Sequence, residues 1–172
     1  MSDAKKLITL EKLIDKNIKA AWYKNGLILI KIRDSGLYKA VKVKGGKDSK
    51  WTTFEDYITG RWDFTKRRGY QIIDAADLTQ KIAFQQAESL ANKDEKSELK
   101  VHILPSSETH LRPLIDGLKT DAERVKVWQD AVDDSQDSKV KITAAFVQKK
   151  VDDFIASGEV VEDIAFELLK IT

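Results

Sequence analysis

Apolar residues recur at steps of three and four along most of this chain. Between residues 7 and 33 the set is Leu7, Leu10, Ile14, Ile18, Ala21, Trp22 and Ile28, the spacing of one helix face. Gly26 lies inside the pattern. Glycine weakens a helix interior, so one long helix and two abutting helices both satisfy the segment. Gly36 follows it and suits a left-handed C-terminal position.

Residues 37–50, "LYKAVKVKGGKDSK", break the period. Ala40 to Val43 has strand character and Gly45-Gly46 marks a turn. The expectation is a small β-hairpin-like loop near 38–50, carrying lysines at 39, 42, 44, 47 and 50. It reads either as a basic wing that meets phosphates through Lys42 and Lys44, or as a solvated insertion.

The helical period then resumes. In "WTTFEDYITG" (51–60), Trp51, Phe54, Tyr57 and Ile58 share a face. Thr52 or Thr53 can cap this short helix, Glu55 and Asp56 suit its positive end, and Gly60 is expected to begin a turn. A second helix is expected from Lys66 to about Leu78, capped by Thr65, with Gly69, Ile72, Ile73 and Ala76 inward. A polar helix and the charged stretch "ANKDEKSELK" follow. Ser106 or Ser107 can cap a helix bearing Leu111, Leu114 and Ile115, with Pro113 in its first turns or bending it. Two further amphipathic helices carry Ala122, Val125, Trp128 and Val132, and the segment from Thr143 to Gly158. The last, 159–171, places Val161, Ile164, Ala165 and Leu168 together. The pattern predicts an all-α protein. Its expected parts are a long-helix region over 1–36, a helix–turn–helix domain over 37–158 and a C-terminal helix over 159–172.

Composition narrows the chemistry. The chain has 172 residues and no cysteine, which excludes disulfides and thiolate metal sites. His102 and His110 are isolated. No phosphate-binding glycine loop and no nucleophile elbow occurs. No enzyme and no cofactor is expected. No apolar run approaches the roughly 18 residues of a membrane span, and the N-terminus lacks a signal-peptide core. The expected setting is cytoplasmic.

Net charge is +2, unevenly spread. Residues 1–50 hold 13 basic and 5 acidic side chains, whereas residues 101–172 hold 9 and 14. The basic front points to an anionic partner. Its focus is "RWDFTKRRGYQIIDAA" (61–76). Three cations at a helix start oppose the macrodipole by about 0.3–1 kcal/mol each at an exposed site, and an anion would reverse that cost. Neutralisation by Asp63 and neighbouring carboxylates is the alternative. Lys66, Arg67, Tyr70, Gln71 and Asp74 fall opposite Ile72, Ile73 and Ala76. In a helix–turn–helix the second helix reads the major groove. Arginine pairs with guanine there and glutamine with adenine.

The segment "IRDSGLYKA…TFEDYITGRWDFTKRRGYQIIDAADL" is similar to a group of bacterial, plasmid and phage proteins. Their pattern runs roughly I-R-D-x-x-L-Y-R, T-F-E-x-Y, then R-W-G-x-S-R-x-x-A-Y-Q-L-I-x-A-A. "LPSSETHLRPL", "VKVWQDAV" and "KITAAFVQKKV" match its later part, so the likeness covers about residues 27–155. The order of elements resembles the central DNA-binding domain of ParB and KorB partition proteins. The resemblance implies double-stranded DNA as partner, with Thr65 as cap and Lys66, Arg67 and Gln71 reading bases. Arg68 is then a phosphate anchor. The implied role is a repressor or a plasmid or phage maintenance factor, expected as a homodimer. The chain departs from the pattern at Asp63, where the group has glycine, and at Gly69, where it has alanine. The loop 41–50 looks like an insertion. The Gly-Glu-Arg-Arg nucleotide box of ParB is missing, so CTP hydrolysis and clamp sliding are not implied. The rival expectation is a protein-interaction adaptor or inhibitor on the same scaffold, working through its acidic C-terminal half.

Overall fold

The computed structural model describes residues 2–17, 22–40, 51–91 and 103–161. Among them the fold is all-α, with seven α-helices and no strand. These are α1 (Asp3–Asn17), α2 (Trp22–Asp34), α3 (Phe54–Trp62), α4 (Lys66–Ala91), α5 (Arg112–Gly117), α6 (Asp121–Asp137) and α7 (Ala144–Ser157). The chain divides into two compact units, Met1–Ala76 and Asp77–Thr172, with the boundary inside α4. This division does not coincide with the boundaries at 36/37 and 158/159 expected from the sequence. Leu7, Leu29 and Ile32 of the first 36 residues lie in one core with Phe54, Tyr57 and Ile73.

In the first unit the expected long helix is two helices, α1 and α2, packed together. The buried face of α2 is Asn25, Gly26, Leu29 and Ile32, so Gly26 is not a weak point in a stripe but the point of closest packing. A Cβ built there would lie 2.7 Å from the carbonyl oxygen of Ile72 and 2.3 Å from Cβ of Ala76. Only glycine lets α2 approach the α4 backbone so closely. Residues 37–40 form a single 3-10 turn, which corrects the strand expected to begin at Ala40. The rest of that predicted hairpin, 41–50, with Lys42 and Lys44, lies outside the described residues.

Thr53 caps α3, its hydroxyl accepting from the Asp56 amide at 3.1 Å. Gly60 does not begin the turn. It lies within α3, beneath the ring of Trp51, whose Cη2 sits 2.2 Å from where a Cβ would be. The helix runs on to Trp62 and stops at Asp63. Aromatic rings fill the space around α3: Tyr38, Trp51 and Phe54 each have ring centroids about 6 Å from that of Tyr57 (6.1, 6.1 and 6.0 Å).

The helix expected to end near Leu78 continues unbroken to Ala91. No glycine or proline interrupts it there, and Leu78, Thr79, Ile82 and Gln86 extend its buried face. These residues belong to the second unit. Ser107 caps a short 3-10 turn, Glu108–His110, and Pro113 sits in the first turn of α5, where a missing N–H costs nothing. α6 begins with a reciprocal capping box between Thr120 and Glu123. Its expected stripe of Ala122, Val125, Trp128 and Val132 is buried. Lys81 joins α4 to α6 through Asp77 at 2.6 Å and Asp121 at 2.5 Å. Arg124 donates to the carbonyls of Ile115 (3.3 Å) and Leu118 (2.8 Å), which closes the C-terminal end of α5. α7 is capped by Thr143 and ends at Gly158 with φ 67°. Residues 162–172 of the expected C-terminal helix lie outside the described residues. No helix among the described residues is long and apolar enough to cross a membrane.

The two helix-crossing glycines of the first unit make opposite predictions. Gly26→Ala drives a methyl into backbone that cannot rotate away, and is expected to destabilise by about 1–3 kcal/mol. At Gly69 the added methyl meets Cδ1 of Ile58, at 2.5 Å. That is the free end of a flexible side chain, and the helix-propensity gain of roughly 0.8–1 kcal/mol offsets the crowding. Gly69→Ala is therefore expected to change stability by less than about 1 kcal/mol. Urea unfolding of the two variants beside wild type checks the contrast, and equal losses would contradict it.

Candidate functional site

The site is built by the three residues between α3 and α4. Asp63 terminates α3 in a left-handed conformation, φ 54° and ψ 29°, with its N–H on the Ile58 carbonyl. The Phe64 N–H reaches the same carbonyl at 3.4 Å. This pair of bonds satisfies the end of α3 and reverses the chain within a few residues. Thr65 then opens α4. Its hydroxyl accepts from the Arg68 amide at 3.1 Å, and its carbonyl accepts the first helical bond, from Gly69 at 3.0 Å. Lys66, Arg67 and Arg68 therefore fill the first turn, where backbone amides lack helical partners and the dipole is positive.

The predicted site residues do not all face the same way. Lys66 and Arg67 are exposed, Arg68 and Gln71 are half-buried, and Gly69 is buried. Arg67 makes no hydrogen bond or ion pair with the described residues. Asp74 is exposed on the same side. Tyr70 turns toward α3 instead. Its hydroxyl donates to Oε1 of Glu55 at 2.5 Å, and its ring meets that of Phe54 edge-on, with centroids 6.3 Å apart at 72°.

Carboxylates of the first turn of α3 temper this charge. The Tyr70 hydrogen bond holds the Glu55 carboxyl below its ordinary value, and the charge of Lys66 adds to that. The Thr53 hydroxyl does the same for Asp56, again with help from Lys66. The Tyr70 phenol is pushed up, first by its bond to Glu55 and then by burial. So Lys66 stands in the field of two carboxylates, whereas Arg67 keeps its charge unengaged.

Sequence reasoning missed the Glu55–Tyr70 bond because its partners are fifteen residues apart on different helices. No i, i+4 rule reveals such a pair. It also missed Glu11 of α1. That side chain, 13% exposed, accepts from the Tyr57 hydroxyl at 3.1 Å and pairs with Arg61 at 3.5 Å. The Arg61 guanidinium lies over the Trp62 ring, 4.2 Å from its centroid. α1 is thereby tied to α3, the element that carries the turn.

Other chemistry is sparse. His110 is half-buried, and burial followed by the charge of Lys141 lowers its pKa. No group of acidic, histidine or cysteine side chains suited to a metal ion occurs among the described residues. In the second unit a depression of about 190 Å³ is lined by Val127, Phe154 and charged residues including Lys150 and Glu159. Its charges are already engaged: Lys126 pairs with Asp130 (2.7 Å) and Glu159 (3.2 Å), and Lys150 with Asp134. No protein-family model, curated protein sequence or solved structure matches the chain.

Two measurements check this geometry. Thr65→Ala removes the cap of α4 and is expected to lower stability by about 1 kcal/mol. For Glu55 the folded carboxyl is lowered from 4.5. Its contribution is therefore complete above that unfolded value and is lost as pH falls through the lower folded one. Glu55→Gln is expected to flatten the loss of stability as pH falls below 4.5. A variant with the same acid limb as wild type would contradict the assignment.

Proposed function

We propose that the chain binds double-stranded DNA sequence-specifically, with α3, the turn 63–65 and α4 acting as a helix–turn–helix. The first turn of α4 enters the major groove. The observation that carries this reading is the exposed, unengaged Arg67 in the first turn of a capped helix of 26 residues. A cation there opposes the macrodipole unless an anion arrives. The free amides of the same turn favour a phosphate. Arg67 reads a guanine edge, Lys66 and Gln71 reach neighbouring bases, and Arg68 serves the backbone.

The resemblance to the ParB and KorB central domain supports the same reading. Asp63, where the similar bacterial, plasmid and phage proteins have glycine, holds a left-handed backbone (φ 54°) that glycine adopts without strain. Gly69, where the group has alanine, faces the movable end of Ile58. Both departures are thus compatible with one backbone. The role that follows is a repressor or a plasmid or phage maintenance factor, acting in the cytoplasm as a homodimer on paired half-sites.

One observation favours a second reading, a protein-interaction adaptor or inhibitor. Glu55 and Asp56 flank Lys66 and would repel phosphate. Titration of duplex DNA in a gel shift separates the two. The DNA reading expects a selected duplex to bind more tightly than random duplex, with affinity falling steeply as salt rises. Arg67→Ala and Gln71→Ala should each erode that preference by about 1–3 kcal/mol. Lys42→Ala and Lys44→Ala should weaken all duplexes alike, with a shallower salt slope, if the lysines meet phosphates. Indistinguishable binding of wild type and Arg67→Ala to the selected duplex would overturn the assignment of Arg67.

A further inference from the structure

Tyr70 lies among the residues expected to touch DNA, yet it does not face outward. Its hydroxyl donates to Oε1 of Glu55 at 2.5 Å, and its ring packs edge-on against Phe54. Phe54 and Glu55 are the first two residues of α3. The preceding residue, Gly69, meets α3 at Ile58, one turn further along. The start of α4 is thus fixed on α3 at two points, and a carboxylate makes the hydrogen bond at one of them charge-assisted. Arg67 lies one turn before Tyr70 on the same helix. A bidentate arginine–base contact tolerates little error in position, so the angle of α4 on α3 governs whether Arg67 can read.

We propose that Tyr70 is a positioning residue for base reading: held on the Glu55 carboxylate, it sets the angle at which α4 presents Arg67 to the groove, and it does not itself contact DNA. The proposal rests on the helix–turn–helix reading given above. Its signature is a loss of discrimination rather than a loss of affinity. Phosphate contacts act on every sequence alike, whereas base contacts act only on the correct one. A tilted α4 therefore loses selected sites while keeping random ones. Glu55 shares the effect, because the hydroxyl acts only through it. Glutamine at position 55 still offers a carbonyl oxygen to the Tyr70 hydroxyl and keeps the clamp.

The test compares the affinity ratio of a selected to a random duplex in wild type, Tyr70→Phe, Glu55→Ala, Glu55→Gln and the Tyr70→Phe/Glu55→Ala double variant. Circular dichroism melting verifies that each is folded at the assay temperature. Tyr70→Phe is expected to lower the ratio by roughly tenfold, the scale of one hydrogen bond to a charged group. Random-duplex affinity should not change. The double variant should show no loss beyond that of Glu55→Ala, and Glu55→Gln should retain most of the ratio. An equal loss on both duplexes would make Tyr70 a phosphate contact and overturn the proposal. Additive losses in the double variant would make Tyr70 a base reader and overturn it equally. If wild type prefers its selected duplex and Tyr70→Phe keeps the full ratio, the positioning role alone is wrong. If folded wild type binds no duplex, the helix–turn–helix reading fails and the role of Tyr70 falls with it.

Discussion

The first unit depends on how closely its helices can approach. α2 lies on α4 at Gly26, where a single methyl would collide with the Ile72 carbonyl and Ala76. α3 meets α4 at Gly69, against the tip of Ile58. Close packing leaves no slack for the Gly26 contact to open without cost, whereas at Gly69 the tip of Ile58 can move aside. Around these crossings sit Leu29, Ile32, Tyr57 and Ile73, each with about 1% exposure or less. Burial of such side chains stabilises by roughly 1.5–3 kcal/mol each. Phe64 of the short turn 63–65 packs against this core, so the turn rests on it.

Rigidity beneath the turn gives the charge above it a meaning. A cationic first turn on a frayed helix would be a solubilising patch. Here Thr65 caps the helix, Asp63 and Phe64 close the preceding one, and Tyr70 braces the second turn. Arg67 extends from this fixed base without an engaged partner among the described residues. Glu55 and Asp56 partly compensate Lys66. In the DNA reading those carboxylates lower the affinity for phosphate on every duplex alike.

Much of this is legible in the sequence where local chemistry decides. The caps at Thr53, Thr65 and Thr143, the stop at Gly158 and the buried stripe of α6 each follow from residues within one turn. Three features are not. Gly60 has the composition of a turn start, but the ring of Trp51 covers it inside α3. The spacing over residues 7–33 does not decide between one helix and two, because Gly26 serves a distant helix rather than its own. The reach of α4 past Leu78 depends on packing within the second unit, which a periodic pattern does not separate from a new helix. At the candidate site the exposure of Lys66 and Arg67 matches the helical wheel. Tyr70 does not, because aromatic packing on Phe54 and a carboxylate fifteen residues away outweigh its position on the wheel.

The central claim is that the first turn of α4 reads a DNA sequence. Repeated selection of bound duplexes from a random library at near-physiological salt tests it most directly. The account predicts enrichment of a short motif containing guanine, with the guanine position losing its preference when Arg67 is replaced by alanine. A folded protein that returns the input library without enrichment would contradict it.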